Sequence, residues 1–497
     1  MAADAVAGAV AVGGLLPGAR RPRAAAPARP AGPWRAFLHR SAPVLPAVAV
    51  VALIAVPATP AGDGSAGSGS VADAASAVLV LYCLVRLVRE RARPLTRTAA
   101  LVLGLPVLGV TVAALTADEP AATLPGMARY LQIFVLVPGA LLLLIRDRKD
   151  FRLVAGAVVA LALAQGSIGV TQYLTGTGAS YRGENIRAVG TFGPTDVMGM
   201  ATVVAYGLVI AVGFALAPLP AVPGRDDGTG GPRWYGALRG PWGPGTQRAV
   251  ALVCAALLTV PLALSFSRGA WIATAAAVVL QLLFSGPRRA AVVALAAGAL
   301  GIVLVVGLGV GSQMIGERLD SITQVTDAPD QSVADRYTMW AAATHMWQEK
   351  PVTGVGLKGF PAYRDSHASL GLSSGSDTAG AGLGFQRQPL LSPHNMYLLV
   401  LSEQGVLGLT ALAGSWAALL VLTLRRLPGT RRGRDGQRGA GCALVVTGLL
   451  VWQIVDFSYA DIGGPSTVLT AVMFGLAAWW ALGPARRPET RSGAARA

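Results

Sequence analysis

The sequence predicts an all-α, polytopic membrane protein, a bundle of about twelve transmembrane helices with one large extracytoplasmic loop containing short helices. Three observations carry that prediction. Of 497 residues, 53% are hydrophobic and only 13% charged, a composition that water cannot wrap into a globule without large exposed apolar patches. Stretches such as 98–117, 249–266 and 464–483 each offer close to the roughly 20 apolar residues needed to cross a hydrocarbon core of about 30 Å. Arginine clusters fall on alternate connections between such stretches, as the positive-inside rule requires. The spanning segments must be helices, because lipid satisfies no open backbone group.

Hydropathy places spans near 43–61, 71–88, 98–117, 128–145, 152–174, 194–217, 249–266, 269–285, 290–310, 395–424, 441–458 and 464–483. The first has the thinnest support, since Pro43, Pro46, Pro57 and Pro60 crowd its ends, and the second holds Asp73 and Arg86 near its own ends. These spans divide the chain into a disordered basic tail (1–40), N-terminal transmembrane helices (41–217), a Gly/Pro-rich cytoplasmic linker (218–248) and helices flanking an outer arginine turn (249–310). A large extracytoplasmic loop (311–393), C-terminal helices (394–483) and a short cytoplasmic tail (484–497) follow.

The charge pattern sets the orientation. Arg20, Arg21, Arg23, Arg29, Arg35 and Arg40 lie in the N-terminal tail; Arg89, Arg91, Arg93 and Arg97, then Arg146, Arg148 and Lys149, occupy the next connections of the same side. Arg225, Arg233, Arg239 and Arg248, then Arg288 and Arg289, then Arg425, Arg426, Arg431, Arg432, Arg434 and Arg438, and finally Arg486 and Arg487 continue it. Both termini are therefore expected in the cytoplasm, in a multi-pass protein of the cytoplasmic membrane. The net charge of +16 is explained by loops held beside anionic membrane lipids, so no nucleic-acid partner is inferred. Cys83, Cys254 and Cys442 have neither metal-type nor disulfide-type spacing. The nearest approach to a metal-type acidic pair, Asp226-Asp227, falls in the cytoplasmic linker, so no metal site and no cofactor is expected.

The outside connections are short except for 311–393, whose roughly eighty residues exceed ordinary loop lengths. Within it, Ser332 is suited to cap a helix carrying Val333, Tyr337, Trp340, Ala341, Thr344 and Trp347 at helical spacing, with Pro351 ending it. Such an aromatic stripe belongs in the membrane interface or against the bundle. The following PVTGVGLKGF reads as a tight loop without the strand or lysine of a phosphate-binding fingerprint.

Three polar residues mark the outer rim. Arg268, in SFSRGAW, stands where two spans turn back on each other; Arg187, in YRGENIRAVGTFGP, precedes the sixth span, with Pro194 suited to its first turn; His394, in SPHNMYLLV, opens the tenth span beside Asn395 and Tyr397. A sugar on a polyprenyl diphosphate carries an excellent leaving group once its charge is neutralised. Arginine grips phosphate oxygens bidentately and keeps its proton, so two converging arginines can replace a metal ion. A neutral histidine can take the proton of an attacking hydroxyl. Attack opposite the diphosphate inverts the anomeric carbon. Each assignment has a plainer competitor: a rim arginine can be a snorkelling anchor, and a lone histidine a cap. Arginine is scarce on the outer face, however, so an anchor there runs against the orientation rule.

Other polar residues are read more modestly. Glu403, about nine residues into the tenth span, points roughly opposite to His394 and is expected to partner an arginine or helix end. Arg336 is a candidate diphosphate ligand or a partner of Asp335 or Glu349, and Asp196 a helix cap.

These segments resemble the O-antigen ligase and polymerase family of bacterial membrane proteins. The likeness rests on the arginine-containing GTF segment at 187–192, SFSRGAW at 265–271, DRYTMWAAATHMWQEKPVTGVGLKGF at 335–360 and PHNMYLLVLSEQGVLGL at 393–409. It covers the C-terminal two-thirds; the first five spans match only as hydrophobic stretches. The resemblance implies a metal-independent, inverting transfer of a glycan from undecaprenyl diphosphate to an acceptor hydroxyl at the outer face. By motif match, Arg187 and Arg268 then bind diphosphate and His394 lies near the acceptor; Arg336, Asn395 and Tyr397 are further candidate substrate-binding residues. Relatives include lipopolysaccharide ligases, repeat-unit polymerases and protein O-oligosaccharyltransferases, so the acceptor is a lipid, a glycan or a protein. A small-anion transporter is the alternative from another class; it would place charges at mid-membrane rather than at the rim.

Overall fold

The computed structural model describes residues 40–57, 70–90, 95–181, 184–218, 243–302, 331–369, 372, 376–379, 385–388, 390–428, 433–464 and 466–483. The N-terminal tail, most of the 218–248 linker with Asp226-Asp227, the start of the 311–393 loop, the C-terminal tail and many of the clustered arginines lie outside them.

Each of the twelve hydrophobic spans contains a helix: α1 (Leu45–Leu53), α2 (Val71–Glu90), α3 (Arg97–Leu115), α4 (Pro120–Leu144), α5 (Arg148–Thr175), α6 (Gly199–Ala215), α7 (Pro244–Leu264), α8 (Arg268–Ser285), α9 (Pro287–Ile302), α12 (Met396–Arg426), α13 (Gly433–Asp456) and α14 (Thr467–Leu482). Among the described residues, eight helices are long and apolar enough to cross a membrane, and three shorter apolar ones accompany them. The protein is a multi-pass membrane helix bundle. Between α9 and α12 lie α10 (Gln331–Glu349) and α11 (Phe360–His367).

Side-chain caps start several of these helices. Thr96, Asp147, Ser267 and Asn395 each accept a hydrogen bond from a backbone N–H in the first turn that has no helical partner. The bundle has a dry centre and a lipid-facing rim. α6 and α14 are buried along almost their whole length, whereas α2 exposes Val78, Leu81, Leu84, Val85 and Val88, as expected of apolar side chains solvated by acyl chains. Polar groups tie central helices together: Gln281 Nε2 donates to the Val209 and Leu444 carbonyls at 2.9 and 3.1 Å, and Trp452 Nε1 to Thr274 Oγ1 at 3.0 Å. In hydrocarbon such bonds contribute about 0.6 kcal/mol each.

Several expectations are corrected. Two antiparallel hairpins, β1 (Ala179–Tyr181) with β2 (Glu184–Arg187) and β3 (Ser376–Ala379) with β4 (Phe385–Gln388), interrupt the helical order. The sixth helix starts at Gly199; Pro194 lies in a preceding 3-10 turn, Gly193–Asp196. Ser332 lies inside α10 rather than capping it. The buried face of α10 is Asp335, Met339, Ala342, Ala343 and Met346, while Trp340 and Trp347 are half-buried on its flank and Tyr337 is exposed.

The least expected feature is a break in α12. Gly405 has φ 64° and ψ −167° within the helix, a left-handed region that costs an L-residue dearly and glycine little. The PVTGVG segment enters the break. Val355 and Gly356 N–H donate to the carbonyls of Ser402 and Glu403 at 2.8 and 3.1 Å, and Val406 and Leu407 N–H donate to Pro351 and Val352 at 2.9 and 3.3 Å. Groups freed by the break are thus paired by inserted chain, the condition on which irregular backbone survives at membrane depth.

Candidate active site

Arg187 ends β2, and the chain after it is clamped by two glutamines of α5. Gln172 Oε1 accepts from Val189 and Gly190 N–H at 3.0 and 2.9 Å, and Gln165 Oε1 accepts from Thr191 N–H at 2.9 Å. Ala188 N–H donates to the Leu264 carbonyl at 3.2 Å. The Arg187 guanidinium donates through Nε to the Ser265 carbonyl at 3.1 Å and through Nη2 to Met198 Sδ at 3.1 Å. The first rim arginine is therefore fastened to the turn that carries the second.

That turn is compact. Ser265 Oγ donates to the Leu262 carbonyl at 2.6 Å, Phe266 is buried in the left-handed region at φ 50°, and Trp271 Nε1 donates to the same Leu262 carbonyl at 2.8 Å. Arg268 then begins α8, half-buried. Its neighbour Gly269 packs against Tyr459, whose Cβ would lie 3.3 Å from a carbon added there.

Tyr459 belongs to the turn between α13 and α14, which also carries the start of α12. Met396 N–H donates to the Phe457 and Ala460 carbonyls at 2.8 and 3.0 Å, and Asn395 Nδ2 donates to Ser458 at 3.2 Å. Phe457 stacks on Trp416 with centroids 4.9 Å apart, fixing the turn to the core. The same turn holds Ser466 N–H, which donates to Asp196 Oδ2 at 3.0 Å, and the Gly464 carbonyl, which accepts from Arg129 Nη2 at 3.1 Å. Arg129 is also paired with Asp73. Contacts therefore run without a gap from Arg187 through Ser265, Arg268's neighbour and Tyr459 to the residues flanking His394.

His394 has φ 49°, unusual for a non-glycine residue, and sits between Pro393, whose carbonyl accepts from Trp340 Nε1 at 2.9 Å, and the capping Asn395. The imidazole lies within electrostatic reach of the Asp461 carboxylate and the Arg336 guanidinium. Burial, the largest influence, holds its pKa below the ordinary histidine value; Asp461 pulls it up and Arg336 pushes it down. A neutral imidazole at neutral pH is what a proton acceptor requires.

The remaining expected residues divide. Arg336 comes to His394, with Asp335 beside it buried. Asn395 and Tyr397 have intramolecular duties: Asn395 caps α12, and the Tyr397 hydroxyl donates to the Ile454 carbonyl at 2.8 Å. Glu403 is buried, and its Oε1 accepts from Phe360 N–H at 3.3 Å at the start of α11. Asp456 and Asp461, in DFSYADIGG, were not singled out by sequence; the signal available was two carboxylates bracketing a short outer connection. A small cleft lined by Asp118, Glu119, Lys358 and Tyr363 opens at the same end of the bundle, with the Tyr363 hydroxyl donating to Asp118 at 2.6 Å. Among the described residues, no three His, Cys, Asp or Glu side chains converge as metal ligands do.

Residues 253–413 match the family model described as O-Antigen ligase. That stretch, about a third of the chain, is similar to the O-antigen ligase family. This O-antigen ligase segment takes in Arg268, Arg336, His394, Asn395, Tyr397 and the broken helix, while Arg187 and Asp461 lie on either side of it. No curated protein matches the chain in a sequence comparison. The match supports, in general terms, glycan transfer of the O-antigen ligase and polymerase type.

Proposed function

We propose that this protein transfers a glycan from undecaprenyl diphosphate to an acceptor hydroxyl at the outer face of the cytoplasmic membrane, in the assembly of a cell-surface polysaccharide. Arg187 and Arg268 bind the diphosphate and neutralise the charge that builds on it as the anomeric bond breaks, supplying the positive charge that a metal ion supplies in other transferases. His394 takes the proton of the acceptor hydroxyl as that oxygen attacks the anomeric carbon from the opposite face, with inversion. The observation that carries this reading is the unbroken run of contacts from Arg187 through the Arg268 turn to His394. The orientation of that end toward the exterior rests on the arginine pattern of the loops.

Arg336 is a further diphosphate ligand, approaching from α10. The acceptor is a lipid, a growing glycan or a protein, and transfer of single repeat units or of finished chains is open to the same site. Deletion of the gene, followed by analysis of surface glycans and lipid-linked intermediates, tests the proposal. Long chains stranded on the lipid carrier identify a ligase; single stranded repeat units identify a polymerase. Unchanged surface glycans and no stranded intermediate would overturn it.

A further inference from the structure

Asp461 stands one residue beyond Ala460, whose carbonyl receives Met396 N–H, two residues from His394. Backbone bonding thus holds the main chain at Asp461 close to that at His394. One of its oxygens, Oδ2, is shielded from solvent and has no hydrogen-bond partner among the described residues. A desolvated carboxylate oxygen is costly to leave unpaired, so its surroundings must contain something that repays it. His394 is within electrostatic reach of Asp461, and Arg336 of α10 is within electrostatic reach of the same imidazole. The acids within reach of Asp461 are Glu403 of α12 and Asp456 at the end of α13, with the Tyr130 hydroxyl of α4. A positive charge arising on the imidazole is the one change during turnover that this acidic surrounding would favour.

We propose that Asp461 is a positioning residue for His394, orienting the ring and stabilising the imidazolium formed when it accepts the acceptor proton, with Arg336 opposing that charge so that the proton is readily given up afterwards. This rests on the reading of His394 as base. As the acceptor oxygen bonds to the anomeric carbon, its proton passes to a ring nitrogen, and the electron pair of the breaking carbon–oxygen bond leaves with the diphosphate. The role is that of the orienting carboxylate in a Ser-His-Asp triad.

The test uses the full-length protein in lipid nanodiscs. Modification of His394 by diethyl pyrocarbonate is followed against pH, read on the His394 peptide by mass spectrometry. Asp461→Asn should move the midpoint to lower pH and Arg336→Gln should move it to higher pH, because the two side chains bias the ring in opposite directions. Asp461→Asn should also lower kcat by about a hundredfold with little change in donor KM, with partial rescue by Asp461→Glu. The modification needs no turnover, so the pairing is judged separately from the reaction. An unmoved midpoint in Asp461→Asn, or shifts of the same sign in both variants, would overturn the pairing. A shifted midpoint with unchanged kcat would overturn the positioning role, whereas transfer that survives in His394→Ala would instead strike at the base assignment. Should Asp461→Asn fail to fold, Asp461→Ser and Arg336→Gln carry the same comparison.

Discussion

Arg187 and Ser265 are joined by a 3.1 Å hydrogen bond from the guanidinium Nε to the backbone carbonyl, 78 residues apart in sequence. Ser265 lies three residues ahead of Arg268, so the bond couples the two arginines through a turn held rigid by Ser265 Oγ and Trp271 Nε1. The Arg187 guanidinium is thus held against the turn that leads into Arg268.

Arg268→Lys should lose most activity despite keeping its charge, by about a hundredfold in kcat/KM, because an ammonium cannot reproduce the two-pronged contact to phosphate oxygens. Transfer rates of purified, folded protein check this. Near-normal turnover would reduce Arg268 to a topology anchor.

His394→Ala should leave binding of the lipid-linked donor intact while abolishing transfer, a pattern that separates a base from a donor ligand. In the unaltered protein, activity should rise with pH as the imidazole loses its proton. Burial lowers the ring's pKa, so the midpoint should fall below about 6.5, and activity should be level through neutrality. A rate that climbs through pH 7 to 8 would contradict this.

Tyr397→Phe removes the hydroxyl that donates to Ile454. The loss should cost about 1 kcal/mol of stability and leave donor affinity within about threefold, since the bond is internal to the bundle. A tenfold or greater loss of donor affinity at unchanged melting temperature would restore Tyr397 as a substrate contact.

Gly405→Ala should be strongly destabilising, by roughly 3 kcal/mol or more. The left-handed backbone penalises a side chain, and the added carbon would overlap the Val352 carbonyl. Thermal unfolding in detergent measures it; a melting temperature within about 2 °C of the parent would mean the break is not needed.

The bundle was legible in the sequence because membrane crossing imposes one strong constraint, a long apolar run with flanking arginines, and every such run holds a helix. The candidate site was read from the places where polarity interrupted that pattern, at Arg187, Arg268 and His394. Other features carry no such contrast. Gly405 lies in LSEQGVLGL, which reads as a continuous helix, because its break is made good by backbone bonds to a distant segment. The hairpin ending at Arg187 is too short to show alternation. Asp461 sits in a connection of ordinary length, and its importance comes from what the turn touches: Asn395, Met396, Gly269 and Asp196.

The seam between residues 351–356 and the interrupted α12 makes the lobe formed by α10 and α11 a single mechanical part with the bundle. Exchanging that lobe between relatives to change what is glycosylated would cut four backbone bonds unless the receiving helix came with it. Splice points beyond the seam, such as the hairpin at 376–388, spare it. A working chimera should therefore carry 351–356 and 402–407 from one parent.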